Sequence, residues 1–297
     1  MNLNTIWSTL TESLEPLGDS AAESTAAELG LEPGWQTLIW AIALFDNEPF
    51  STKSFMRIRP YGSKQVNEAR FISAAKQGNL MLVSDNEYVS TEKGKYVMSR
   101  LLQAMEDSIA PLQPVPAADL QKILDYVKRL LDATLVMPEP PSKFAMNRYY
   151  KNIHPGQDVQ PLRLLVHYIG SLDQYRGAAH IASWESYNIK GYEWSAFTSI
   201  WRKEADTLGA LYEEMGASVF TREEILEALR DLAKRGWIEE EMGAYRTTTE
   251  GGRIRQESED VTDRLFFVPW SCLNESELEE LFNLSTQLRD GLRSSNE

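Results

Sequence analysis

The sequence predicts a mainly α protein with small β-hairpins, built as two similar units that central and terminal helices join. Three observations predict it. Residues 220–267 read in succession as helix, tight turn, hairpin and helix. Landmarks of that stretch recur 158 residues earlier in the chain. Between the two lies a proline-marked break, PLQPVPAAD, followed by the amphipathic pattern ADLQKILDYVKRLLDATLV.

Taken in order, residues 3–29 read as one or two amphipathic helices broken near Pro16 and Gly18. WQTLIWAIALFD, from Trp35, is apolar enough to be a buried helix, and STKSFMRIRP gives a short helix ended by Pro60, Tyr61 and Gly62. The next helix is capped by Ser63 and closed by Gly78. LMLVSDNEYVS is a pair of strands around Asp85-Asn86, and TEKGKYVMSRLLQAM returns to helix. Beyond the central helix and the rigid MPEPPSK, three further helical segments follow: SKFAMNRYYKNI, VQPLRLLVHYIGSLDQY and GAAHIASWESYN. In 220–267, Thr221 caps a helix with Glu223 and Glu224 in its first turn, where the partial positive helix end favours them. Ile225, Leu229, Leu232 and Ala233 give that helix one buried face. Gly236 ends it, Trp237 and Ile238 open a strand, Met242-Gly243-Ala244 turn, and Tyr245 and Arg246 return. The tail helix carries Leu278, Leu281, Leu284 and Leu288 at helical spacing.

At the offset of 158, Ser63 falls on Thr221, Lys64 on Arg222, Lys76 on Lys234 and Gly78 on Gly236. Thr91, Glu92 and Gly94 fall on Thr249, Glu250 and Gly252. These are caps and helix ends, where local geometry restricts residue choice. An internal duplication is the reading they support.

The order of elements in 220–267 resembles the recognition helix and wing of a MarR-like winged helix, a DNA-binding unit. Arg176-Gly177, with Ala179 and His180, and the closing TDRLFFVPW are similar to features of bacterial two-module helix-turn-helix proteins of unassigned function. That likeness is specific over 175–270. It implies a tandem winged-helix pseudo-dimer: N-terminal helices 1–32, first winged helix 33–110, central helices 111–190, second winged helix 191–267 and C-terminal helix 268–297.

Charge decides which unit suits DNA. The chain carries a net charge of -14, which disfavours general adhesion to nucleic acid or anionic membrane. Residues 51–76 nevertheless hold six basic side chains against Glu68 alone, a local balance of +5, whereas 220–267 hold eight basic and twelve acidic ones. The first unit is therefore expected to read duplex DNA, with Lys64, Gln65 and Asn67 at base edges. Lys53, Arg57, Arg59, Arg70 and Lys76 would meet phosphate, and Lys93 and Lys95 would flank the wing. A solvated basic face balanced by acidic segments elsewhere is the plainer account of the same charges. For the acidic second unit, packing or a protein partner is expected.

Aromatic residues crowd into 184–201. Core packing between modules accounts for them most simply. The sharper expectation is a pocket for a small-molecule effector between the central helices and the second unit, lined by Trp184, Tyr187 and Trp194, with Arg176 or His180 as anchor. MarR-like regulators sense ligands between their helical and winged parts. His167 and His180, expected on neighbouring helices, could with a carboxylate form a two-His site. They lack HxxxH or HExxH spacing, and local hydrogen bonding is expected instead, as is pairing of Arg176 with Asp173. Without GxSxG, GxGxxG or GxxxxGK[ST], neither a serine hydrolase nor a nucleotide-binding loop is expected, and no cofactor or metal. The lone Cys272 excludes an internal disulfide and suggests a reducing compartment. With no signal sequence or membrane-length apolar run, the expectation is a cytoplasmic, non-enzymatic transcription regulator. The alternative is a non-catalytic protein-interaction module, and a metal-dependent enzyme is the third.

Overall fold

The computed structural model describes residues 2–17, 20–156, 159–216 and 219–295. It is mainly helical, with two small antiparallel hairpins. The chain opens with α1 (Leu3–Glu12), a 3-10 turn (Glu15–Leu17) and α2 (Ser20–Glu28); Gly18, half of the expected break, lies outside the described residues. The first unit follows as α3 (Gln36–Phe45), α4 (Thr52–Ile58), α5 (Lys64–Lys76), the hairpin β1 (Leu80–Ser84) and β2 (Glu87–Ser90), and α6 (Glu92–Ile109). Then come α7 (Ala117–Leu135), α8 (Phe144–Asn152) and α9 (Pro161–Trp184). The second unit comprises α10 (Gly191–Arg202), α11 (Leu208–Glu214), α12 (Arg222–Lys234), β3 (Ile238–Glu241), β4 (Ala244–Thr247) and α13 (Thr249–Phe267), and α14 (Glu275–Ser295) closes the chain.

Local chemistry explains why α5 and α12 start where they do. Ser63 Oγ accepts from Val66 N at 3.2 Å; Thr221 Oγ1 accepts from Glu224 N at 3.2 Å while the Glu224 carboxylate accepts from Thr221 N, a reciprocal capping box. Both helices end at a glycine with positive φ, Gly78 and Gly236. The buried stripe of α12 is Ile225, Ala228, Leu229 and Leu232; Ala233, expected inside, is exposed, because it lies a further 100° round the helix from Leu232.

An extra residue in the first hairpin changes the register between units. β1 and β2 pair irregularly between Leu82 and Ser84, leaving Val83 over, whereas β3 and β4 pair without a break from Ile238↔Thr247 to Glu241↔Ala244. The offset of 158 therefore becomes 157 beyond the hairpin. Thr91 Oγ1 donates to Gly78 O and accepts from Gly94 N; Thr248 Oγ1 donates to Gly236 O and accepts from Gly251 N. Thr91 and Gly94 thus correspond to Thr248 and Gly251, not to Thr249 and Gly252.

Two of the segments expected as separate helices are one. α9 runs without interruption through Gly177, because a glycine in a helix interior costs only about 1 kcal/mol relative to alanine, and tertiary packing exceeds that. α9 lies against α7, α8 and α13 at the centre of the molecule. The largest core forms there, from Ile6 and Leu10, Ile123, Val127 and Leu130, Leu165 and Leu172, Phe266, Trp270, Leu281 and Leu288. Each unit has a smaller core of its own, around Phe45, Phe50 and Phe71 in the first and Trp194, Phe197 and Trp237 in the second. Among the described residues no helix is long and apolar enough to cross a membrane.

Candidate functional site

α5 is the helix of the first unit that the sequence assigns to DNA. Its outward side chains are Lys64, Gln65, Glu68, Ala69, Ile72 and Lys76, and Lys53 and Arg57 stand exposed on α4. The remaining residues expected at DNA point elsewhere. Asn67 is 6% exposed, turned inward beside Gly62, so it reaches no base edge. The guanidinium of Arg70 donates to Thr37 Oγ1 at 3.0 Å and lies over Gly34. Lys93 Nζ donates to Gln77 O, a carbonyl at the end of α5, and Lys95 Nζ is held by Asn47 and Glu92. Arg59 turns away from that face: it is half-buried, its guanidinium 3.9 Å above the Trp40 ring and donating to Gln174 Oε1 at 3.3 Å. In sequence Arg57, Arg59 and Arg70 share a basic run; in space they face different ways.

α5 and α12 meet at their N-termini. Ser63 N donates to Val219 O at 3.2 Å, and Ser63 Oγ donates to Glu224 Oε1 at 2.8 Å. Pro60 packs against Gly191 so closely that a Cβ there would lie 2.2 Å from its carbonyl oxygen. A two-fold pair of helix-turn-helix units reads half-sites about 34 Å apart. Helices whose N-termini touch cannot occupy two such grooves at once.

The aromatic set expected to line a pocket is packed core. Trp194 is fully buried, stacked on Trp184 and Tyr187, and Trp184 donates from Nε1 to Tyr61 Oη at 2.8 Å. His180 and Arg176 belong to a polar seam between α9 and α13. Arg176 pairs with Asp263 at 3.3 Å rather than with Asp173. Trp194 Nε1 donates to His180 Nε2 at 3.1 Å, and His180 Nδ1 faces Thr262 Oγ1, whose own hydroxyl donates to Ser258 O. An indole N–H only donates, so His180 is neutral with its proton on Nδ1. Burial, with Arg255 beside it, pushes its pKa down to about 4. His167 sits on the same helix, not a neighbouring one, about 20 Å further back. It is buried between Tyr149 and Tyr150 with His154 edge-on. Among the described residues no three His, Cys, Asp or Glu side chains gather as a metal site.

A cavity opens on the other side of α9. About 970 Å3 of space lies between that helix, α3 and α4 of the first unit, and the chain entering α8. Its α9 wall is Asp173, Gln174, Gly177, Ala178, Ile181 and Ala182, a stripe at helical spacing whose small members leave the room, and Glu185 just past the helix end extends it. That stripe was readable in the sequence as one helix face, but only once 161–184 is known to be a single helix. Trp40, Phe45, Ile58 and Phe144 form the apolar opposite wall, and Arg57, Arg59 and Tyr61 also line the space. None of the five residues expected to bind a ligand lines it. Burial raises the Asp173 carboxyl above its usual range, against the pull of Arg59 and Arg176. Burial likewise lowers the Arg59 guanidinium, opposed by Asp173.

With this geometry in view, the comparisons are specific on one point. Residues 151–296 match the model of a helix-turn-helix family, a span from the end of α8 to α14 that includes the whole second unit. The match supports a helix-turn-helix domain within the second half of the chain. No curated protein and no solved structure matches the chain.

Proposed function

We propose that this chain is a non-enzymatic DNA-binding transcription regulator of tandem, MarR-like winged-helix type. Two units arisen by internal duplication stand in one chain where a homodimer would use two. The observation that carries the reading is the outward face of the first unit, where Lys53, Arg57, Lys64, Gln65 and Lys76 remain free of the interior on and before a recognition helix. The helix-turn-helix match on its sister unit supports the same class. Because the recognition helices abut at Ser63 and Glu224, the first unit would engage a duplex alone, or both would engage after that contact opens.

Anisotropy with a labelled duplex over a salt series tests this. Affinity should fall steeply with salt, and Lys53→Gln with Lys76→Gln should lower the log–log slope by about 2, since each phosphate contact contributes about 1. A chain that ignores duplex DNA at low salt does not have this function. One observation favours a second reading, a protein-interaction module. The first hairpin exposes Met81, Leu82 and Val83, apolar where a DNA-contacting wing would be basic. In that case salt would leave partner binding little changed.

A further inference from the structure

The geometry points to the cavity between α9 and the first unit as a binding site for a small amphipathic anion, an aromatic or aliphatic carboxylate whose acid group pairs with Arg59. The site does not rest on the DNA-binding reading; it stands or falls by direct ligand binding.

Volume sets the size of the occupant. About 970 Å3 is at the upper end of the range that takes a drug-sized molecule. Charge sets its sign. Three carboxylates line the space: Glu139 and Glu185 are exposed to water, while the enclosure of the cavity raises the Asp173 carboxyl toward its neutral form and so lessens its opposition to an anion. Arg57 is exposed too. Arg59 differs: it is half-buried in the cavity wall, and among the described residues no carboxylate forms an ion pair with it, Asp173 acting on it only at longer range. Its polar contact is a single 3.3 Å bond through Nη1 to the neutral Gln174 amide, with Trp40 covering one guanidinium face. A guanidinium has five donors in a fork that suits a carboxylate, so Arg59, with one neutral protein partner, keeps donors free to meet a ligand in the cavity. An anion entering the cavity answers them, and its body meets Phe45, Ile58, Phe144 and Ile181.

A matched set of probes separates charge from shape: 2-naphthoate, 2-naphthylmethanol and 2-naphthylmethylamine, titrated against the full chain by calorimetry. Naphthoate should bind most tightly, and the amine at least about tenfold more weakly, as expected for one charge-assisted contact. Arg59→Gln should weaken naphthoate about tenfold while leaving the alcohol unchanged, and Arg59→Lys should restore part of the loss. Ala178→Leu, on the wall facing α3 and α4, fills cavity space without changing charge and should weaken all three probes. This keeps the test decisive if Arg59→Gln unfolds. Equal affinity for the three probes overturns the proposal, as does naphthoate binding that is indifferent to both Arg59→Gln and Ala178→Leu. No binding of naphthoate at about 1 mM, the weak limit of specific recognition, does so as well.

Discussion

Gly251→Ala is expected to lower stability by at least about 3 kcal/mol, while Gly252→Ala, one residue on, should be neutral or raise it by up to about 1 kcal/mol. A Cβ on Gly251 would stand 2.0 Å from the carbonyl oxygen of Trp237, where α13 crosses the start of β3. Neither group can yield cheaply: Trp237 O accepts from Thr248 N at 3.0 Å, and Thr248 caps the helix. A Cβ on Gly252 meets nothing nearer than a Thr247 methyl at 4.0 Å. Gly94 in the first unit makes the same close approach, to Asn79 O at 2.2 Å, so Gly94→Ala should behave like Gly251→Ala. Urea midpoints of the three variants measure the difference. If Gly252→Ala proved the damaging one, the register across the hairpins would be wrong by a residue.

That contrast also marks how far the sequence could be read. Caps, helix ends and the two hairpins were legible because they depend on neighbours in sequence: Ser63, Thr221, Gly78 and Gly236 do in space what their positions announce. The shift from 158 to 157 was not, because Val83 is an unremarkable strand residue until its pairing partners are known. The basic run 51–76 was legible as charge but not as surface. Arg57 and Arg59 are two apart on the chain, and that step takes Arg59 from solvent to the face of Trp40. Aromatic crowding at 184–201 announced burial, and a pocket read from it fell on the wrong side of α9. The open space lies where the side chains are small, at Gly177, Ala178 and Ala182. Cavities follow from what fails to fill a space, and composition reports only what is present.

Acid should destabilise the chain with a slope that two histidines supply. Burial, with His154 and Arg163 adding like charge, pushes the pKa of His167 down to about 3, against a weak opposing contact with the Tyr150 backbone; that of His180 is down to about 4. The ordinary value of 6.5 applies to both in the unfolded chain. Between pH 6.5 and about 4 the unfolded state therefore binds more protons, so the stability that these groups confer is full above pH 6.5 and lost as pH falls. Each contributes a slope approaching about 1.4 kcal/mol per pH unit in that window, and His167 continues to act until about pH 3. Substitution should part them. His167 makes no full hydrogen bond through either ring nitrogen and stacks on Tyr149 and Tyr150. His167→Phe keeps the rings packed, removes an unpaired polar group, and should be neutral or stabilising at pH 7 while flattening the acid limb by one proton. His180→Phe removes the acceptor of the Trp194 indole N–H inside the second core, and should cost about 1–3 kcal/mol at pH 7. Urea unfolding of the three proteins from pH 7 to pH 4 decides between them. Parallel acid limbs for wild type and His167→Phe would mean that His167 is not held neutral, and that the centre of α9 is wetter than its packing implies.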